Sequence, residues 1–277
     1  MQYYQRSLSF ILLTCIHILL LAQGRKEISL NNNWEFMFSE LSIEEMAHID
    51  SQSQTVNIPH TWNNKDIQSG SEVNYTTAWY IRRFELEDEQ TEKHAFIRFE
   101  GVGQYAEVYV NGKLAGDHLG SYSAFAFNIT DKLRDDTVNT IYVKVNNELN
   151  LSYPKDNFLF GIYGGIYRDV SLIFTEDLHI GITDYASNGV YIHPKEVNNV
   201  LAVLKVVTLV NNELSSRENL IVKNTLLDGE AEIATSSKKE SFFPGGMHQS
   251  VSILEVDQPR LWNGKQDPFL YTLKTQI

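Results

Sequence analysis

With a single cysteine, Cys15, the 277 residues hold no intramolecular disulfide framework and no thiolate-rich metal site. Basic residues are also scarce: 23 Lys and Arg stand against 35 Asp and Glu, and a formal charge of -12 repels a phosphate backbone, so nucleic acid is excluded as the expected partner. The histidines are scattered with no pair at metal-ligand spacing, and no G-x-S-x-G elbow presents a serine nucleophile. No metal and no cofactor are expected. Pro/Ser-rich linkers, internal repeats and low-complexity stretches are lacking. What remains, 43% hydrophobic and 21% charged residues, is the composition of a soluble globular chain rather than of a disordered, collagenous or multi-pass membrane protein.

The long apolar run is confined to the beginning. Arg6 precedes an apolar stretch from Leu8 to Leu21, followed by the small residues of Ala22-Gln23-Gly24 where a signal peptidase reads. The run is short for a membrane span of about 20 residues, so an uncleaved anchor is the weaker reading. Residues 1–24 are therefore expected to be a signal peptide. The protein is expected to be secreted or periplasmic, in a bacterial envelope, with no membrane span after cleavage. N-x-S/T sequons at Asn74, Asn128 and Asn150 carry meaning only in a host that glycosylates them.

Helical patterning is rare after the leader, and only Ser42–Ile49 has a cap and a polar first turn. The segments 94–100, 106–110, 140–145, 169–174 and 201–210 are short, rich in β-branched and aromatic residues, and bounded by turn formers. Asn111-Gly112 and Asp228-Gly229 supply the positive φ angles of tight hairpins. Many strands without alternating helices predict an all-β chain of antiparallel sandwiches. The break between two units falls at Glu176-Asp177, giving domains of 25–176 and 177–277. The chain stops in the alternating pattern Tyr271–Ile277, so the second sandwich is expected to be C-terminally truncated.

Two patterns imitate catalytic motifs. Gly101-Val-Gly103-Gln-Tyr-Ala106 matches G-x-G-x-x-A, but the fingerprint needs a following helix to hold a pyrophosphate. A strand follows instead, so the glycines read as a strand-to-strand connection. Asn147-Glu148 and Asn212-Glu213 resemble acid/base pairs of sugar-cleaving barrels, yet each follows a strong strand and reads as a solvated turn. His60 reads as a hydrogen-bonded loop or edge-strand residue rather than a general base, because no partner is visible. Trp34, Trp62, Trp79, Tyr80 and Phe84 are expected to fill the interface between two sheets. Arg82 or Arg83 is expected to pair with Glu100 or Asp169.

Asn33-Trp34-Glu-Phe36, Val56-Asn-Ile-Pro-His60-Thr-Trp62-Asn63, Thr77-Ala-Trp79-Tyr80-Ile-Arg82-Arg83-Phe84, Phe99-Glu-Gly-Val102 with Ala106–Gly112, and Gly164-Gly-Ile-Tyr-Arg-Asp169-Val170 occur in an ordered series. Together they resemble the N-terminal sugar-binding domain of glycoside hydrolase family 2, the family of β-galactosidases, β-glucuronidases and β-mannosidases. Residues 177–277, with Leu261-Trp262 and Pro268–Leu273, are similar to its immunoglobulin-like domain. The resemblance implies a jelly-roll (galactose-binding-like) β-sandwich followed by an incomplete immunoglobulin-like sandwich. It implies a retaining glycosidase of non-reducing terminal β-linked sugars, β-galactosidase-like, whose two carboxyl groups lie about 5 Å apart on a (β/α)8 barrel. That barrel is absent from these 277 residues, so the chain is expected to hold no catalytic residue and to hydrolyse nothing alone. In the family a carboxylate or amide ahead of the Gly-Gly-Ile-Tyr-Arg segment contacts the terminal sugar. Asp156 and Asn157 are the nearest matches here, and a plain loop carboxylate is the alternative. Two rival readings are a stand-alone carbohydrate-binding module, with Tyr105, Tyr109 and Tyr122 as stacking candidates, and a structural exported β-protein. If the jelly roll packs against a barrel, the chain alone should also expose an apolar face.

Overall fold

A computed structural model of the chain describes residues 24–48, 53–148 and 161–277. The expected signal peptide up to Gln23, and both Asp156 and Asn157, lie outside the described residues. The first unit runs β1 (Lys26–Ser29), β2 (Trp34–Phe38), β3 (Gln54–Val56), β4 (Thr77–Phe84), β5 (His94–Phe99), β6 (Val102–Gly103), β7 (Tyr105–Val110), β8 (Lys113–Leu119), β9 (Phe125–Asn128), β10 (Asn139–Asn146), β11 (Gly165–Ile166) and β12 (Val170–Thr175). The second runs β13 (Leu178–Ile180), β14 (Val190–Val197), β15 (Leu201–Asn212), β16 (Glu218–Asp228), β17 (Ala231–Phe242), β18 (Met247–Asp257) and β19 (Thr272–Gln276).

The first unit packs a four-stranded sheet, β1-β12-β5-β9, against a six-stranded sheet, β3-β2-β4-β10-β7-β8. Alternation along each strand builds the core between them: Tyr80 on β4, Val108 on β7 and Ile141, Val143 and Val145 on β10 point inward with Trp34, Phe99 and Leu172. The second unit packs β14, β13, β15 and β18 against β17-β16-β19. Its core joins Val206, Leu254 and Val256 to Leu226 and Leu273. Both units are antiparallel β-sandwiches, as the strand patterning predicts. Among the described residues no helix is long and apolar enough to cross a membrane.

Alternation also moves one ring from its expected place. Trp79 neighbours Tyr80 in β4 and so points to the opposite face, where it packs with Met46, Ile81 and Tyr142 rather than between the sheets. A short helix, α1 (Ile43–Met46), covers it there. Ser42 caps α1 in a reciprocal box: Ser42 Oγ accepts from Glu45 N–H at 3.3 Å, and Glu45 Oε2 accepts from Ser42 N–H at 2.9 Å. A second helix, α2 (Asn64–Ser69), has no counterpart in the sequence reading; the Asn63 side chain before it makes no cap bond and is engaged instead with Ile162 and Gly164.

The Asn111-Gly112 turn has positive φ at both residues, 51° and 80°. At the second hairpin Asp228 stays in strand register opposite Ala231, and Gly229, with φ 59°, takes the positive angle alone. β12 is buried throughout. Val170, Leu172 and Phe174 face the core, while Ile173 on the outer side packs with Phe96 and with Ile182, which follows β13. Arg25 donates to the carbonyls of Ile180 and Gly181 at 3.1 and 3.4 Å, tying the same connecting stretch to the first sandwich.

Candidate functional site

At one end of the first sandwich, Trp62, Asn63, Asn74, Asn147 and residues 162–165 form a single hydrogen-bonded cluster. Asn63 and Asn147 are wholly buried. Both donate from Nδ2 to the Ile162 carbonyl, at 2.9 and 3.1 Å. Asn63 Oδ1 accepts from Gly164 N–H at 2.9 Å, and Asn147 Oδ1 accepts from Thr76 N–H at 2.9 Å. The Asn74 carbonyl collects bonds from Trp62 Nε1 at 3.3 Å, Asn63 Nδ2 at 3.4 Å and Asn147 Nδ2 at 3.3 Å. A buried amide is stable only when its donors and acceptors are matched. These two side chains therefore fix residues 162–164 against the stretch from Asn74 to Thr76.

Asn147 consequently corrects the reading of Asn147-Glu148 as a solvated turn. Asn212 does the same: it is wholly buried, donates to the carbonyls of Ser216 and Phe242 at 2.9 and 3.0 Å, and accepts from Leu214 N–H at 3.0 Å. In both pairs the amide closes a strand end from within while the glutamate is exposed.

The glycines before Ile166 are set by close approach. A Cβ on Gly164 would lie 2.1 Å from Trp62 Cζ2, and one on Gly165, whose φ is 131°, would lie 2.4 Å from the His60 carbonyl. β11 here pairs with β6, so Gly103 belongs to a short strand rather than to a bare connection. A Cβ on Gly103 would sit 2.0 Å from the Tyr163 carbonyl, so its backbone meets protein, not phosphate. His60 Nδ1 lies 2.7 Å from the Tyr80 hydroxyl, a partner 20 residues away that the sequence could not reveal. Burial holds the His60 imidazole below the usual histidine range and pushes the Tyr80 hydroxyl up. Both are neutral near pH 7.

Aromatic rings border the cluster. Phe36 stacks on Trp62 at 6.0 Å, and Phe38, half exposed, meets Trp62 edge-on at 5.9 Å. Rings beside amides and hydroxyls can stack on a sugar face and orient it. Glycoside cleavage requires two carboxyl groups, whereas Asp66, which accepts from Asn74 N–H at 3.3 Å, is the one carboxylate bonded into this cluster among the described residues. The stacking candidates lie elsewhere. Tyr105 and Tyr109 are half-buried and both bond Glu107, Tyr109 also packs on Trp79, and only Tyr122 is well exposed. The arginines are also placed differently from expectation. Arg83 pairs with Glu35 and Arg82 donates to the Arg83 carbonyl, while Glu100 pairs with Arg98 at 3.0 Å and Asp169 accepts from Asn31 at 2.9 Å.

The fold and the cluster define a jelly-roll sandwich with an immunoglobulin-like sandwich behind it. Residues 28–176 match the family model for the glycosyl hydrolases family 2 sugar binding domain, and residues 186–277 match a second model of glycosyl hydrolases family 2. The chain belongs to glycoside hydrolase family 2. It is 37% identical over 276 residues to a β-glucuronidase of Bacteroides fragilis, covering 97% of this chain and 38% of that protein. A β-galactosidase of Bacteroides ovatus is 28% identical, with 93% of this chain and 30% of that protein covered. A crystal structure described as a putative β-galactosidase from Bacteroides fragilis superposes with a TM-score of 0.83 at 38% identity, over 90% of this chain and 38% of that one. The Bacteroides uniformis β-glucuronidase structure superposes at 0.81 with 28% identity, over 91% and 32%. The chain thus spans well under half the length of these relatives.

Proposed function

We propose that this chain is the non-catalytic N-terminal portion of an exported, retaining β-glycosidase that removes non-reducing terminal β-linked sugars of the galactose or glucuronic acid type. The observation that carries the proposal is the match of both sandwiches, in order, to enzymes of which they make up 30% to 38% of the length. In this reading the two carboxyl groups belong to a barrel in the remaining length, and the jelly roll from 25 to 176 lends one wall of the sugar site. Asn63 and Asn147 hold residues 162–164, Asp156 and Asn157 contact the terminal sugar, and 177–277 joins that wall to the barrel. Cleavage of residues 1–24 releases the protein to the periplasm or the exterior.

The test is enzymatic. Purified residues 25–277 should not turn over p-nitrophenyl β-glucuronide or β-galactoside, whereas the same residues extended by the barrel of the Bacteroides fragilis relative should. Turnover by residues 25–277 alone would overturn the proposal, as would failure of the extended protein to hydrolyse either compound.

A further inference from the structure

The second sandwich carries a cleft of about 540 Å³ on the face of β14, β15 and β18 turned away from its core. Its floor is apolar: Val207 and Leu209 point out of the core side yet are only 7% and 4% exposed. Opposite them in register stand Tyr191 on β14 and Val251 and Gln249 on β18. The Tyr191 ring is fixed at its far end, where the hydroxyl donates to Asp184 and lies 3.0 Å from Ser187 Oγ. One strand pair further along, His193 and Lys205 face each other across β14 and β15. Neither makes an ion pair or a side-chain hydrogen bond among the described residues, in a chain whose formal charge is -12. Met247 and Gln249 form the opposite wall.

The cleft is therefore polar at its ends and apolar between. The end near Asp184 offers a carboxylate acceptor. The other offers a lysine ammonium and an imidazole. Positions two apart on one strand are about 7 Å apart, the scale of one pyranose ring with its substituents. A sugar presents C–H groups on its face for an aromatic wall and an apolar floor, and hydroxyls on its edge for acceptors. A cation without a partner adds a preference for a carboxylate on the opposite edge. We propose that this cleft is an accessory site for a uronic acid residue, its carboxylate on Lys205 and His193, its ring over Val207 and Leu209 beside Tyr191, and its hydroxyls toward Asp184. The site lies on the second sandwich and does not rest on the reading of the jelly roll.

The test is calorimetric titration of purified residues 25–277 at low salt with methyl β-glucuronide, methyl β-glucoside and sodium acetate. The glucuronide is expected to bind with a dissociation constant on the order of 1 mM, with the glucoside at least about tenfold weaker. Lys205→Gln should weaken the glucuronide about tenfold without moving the melting temperature, and Lys205→Arg should keep binding. In the unsubstituted protein the glucuronide should shift the Met247 methyl and His193 ring resonances, a readout independent of any variant's folding. The proposal fails if the glucuronide does not bind, if Lys205→Gln binds it unchanged, if the Met247 and His193 resonances stay still, or if acetate binds as well as the sugar acid.

Discussion

The indole of Trp62 lies so close to the backbone of Gly164 that no side chain fits between them, the space for a Cβ being 2.1 Å from Trp62 Cζ2. The two residues are 102 positions apart, and Trp62 N–H donates to the Gly164 carbonyl at 3.2 Å. Gly164→Ala should therefore destabilise by about 1–3 kcal/mol through overpacking. Thermal melting would show a fall of several degrees. Trp62→Leu in the same chain should recover part of it, because the clash is with the ring.

Asn63 and Asn147 share the Ile162 carbonyl, so their truncations should not add. Asn147→Ala leaves Thr76 N–H unmatched and costs about 1–3 kcal/mol, and Asn63→Ala leaves Gly164 N–H unmatched at similar cost. The double variant should lose more than the sum in urea unfolding, since each single variant leaves the Ile162 carbonyl one amide donor and only the double variant leaves it with neither. Strict additivity would mean that the two amides act separately.

Met46 plugs the outer face of β4 over Trp79, and it is 2% exposed. Met46→Ala should cost about 2–5 kcal/mol, the range for a truncated core side chain. Ser42→Ala, which removes one arm of the capping box, should cost about 0.5–2 kcal/mol. Denaturant midpoints of both variants give the comparison, and Met46→Ala is expected to be the larger loss.

His179 supplies a pH dependence. It is 5% exposed, its Nδ1 lies 3.0 Å from the Glu176 carbonyl, and its Nε2 is buried without a hydrogen bond. Burial first, then the neighbouring His94 and Arg25, hold its imidazole below the usual range, against the raising effects of the Glu176 carbonyl and Glu213. A group with a lowered folded value resists the proton that the unfolded chain accepts near pH 6.5. Its contribution is complete above that pH and is lost as pH falls through the lower folded value. Unfolding midpoints at pH 7.5 and 5.0 should separate, and His179→Phe should narrow the gap. His60 and His118 are shifted in the same direction by burial and keep it from closing.

The fold was legible because strand alternation and turn chemistry are local. Asn111-Gly112 fixes a hairpin from its own φ preferences, and Ser42 with Glu45 announces a helix start. The same alternation, applied residue by residue, would have put Trp79 on the face opposite Tyr80. The site was less legible. Asn147 looks like a turn amide from its neighbours, and its burial comes from Ile162 and Thr76, one 15 and the other 71 residues away. His60 likewise shows no partner until Tyr80 arrives from another strand. Arg83 turned to Glu35 on the adjoining β2 rather than to the acids expected, because register between strands cannot be counted along the chain.

Ile182 lies against Ile173 and Phe96, so the stretch after β12 is a clasp laid on the first sandwich rather than a tether between modules. Severing the chain at the boundary would strip that clasp and leave the first half with a bare, adhesive side. In recombination or domain swapping, the two sandwiches should consequently travel as one cassette, with any exchangeable seam placed beyond the pair.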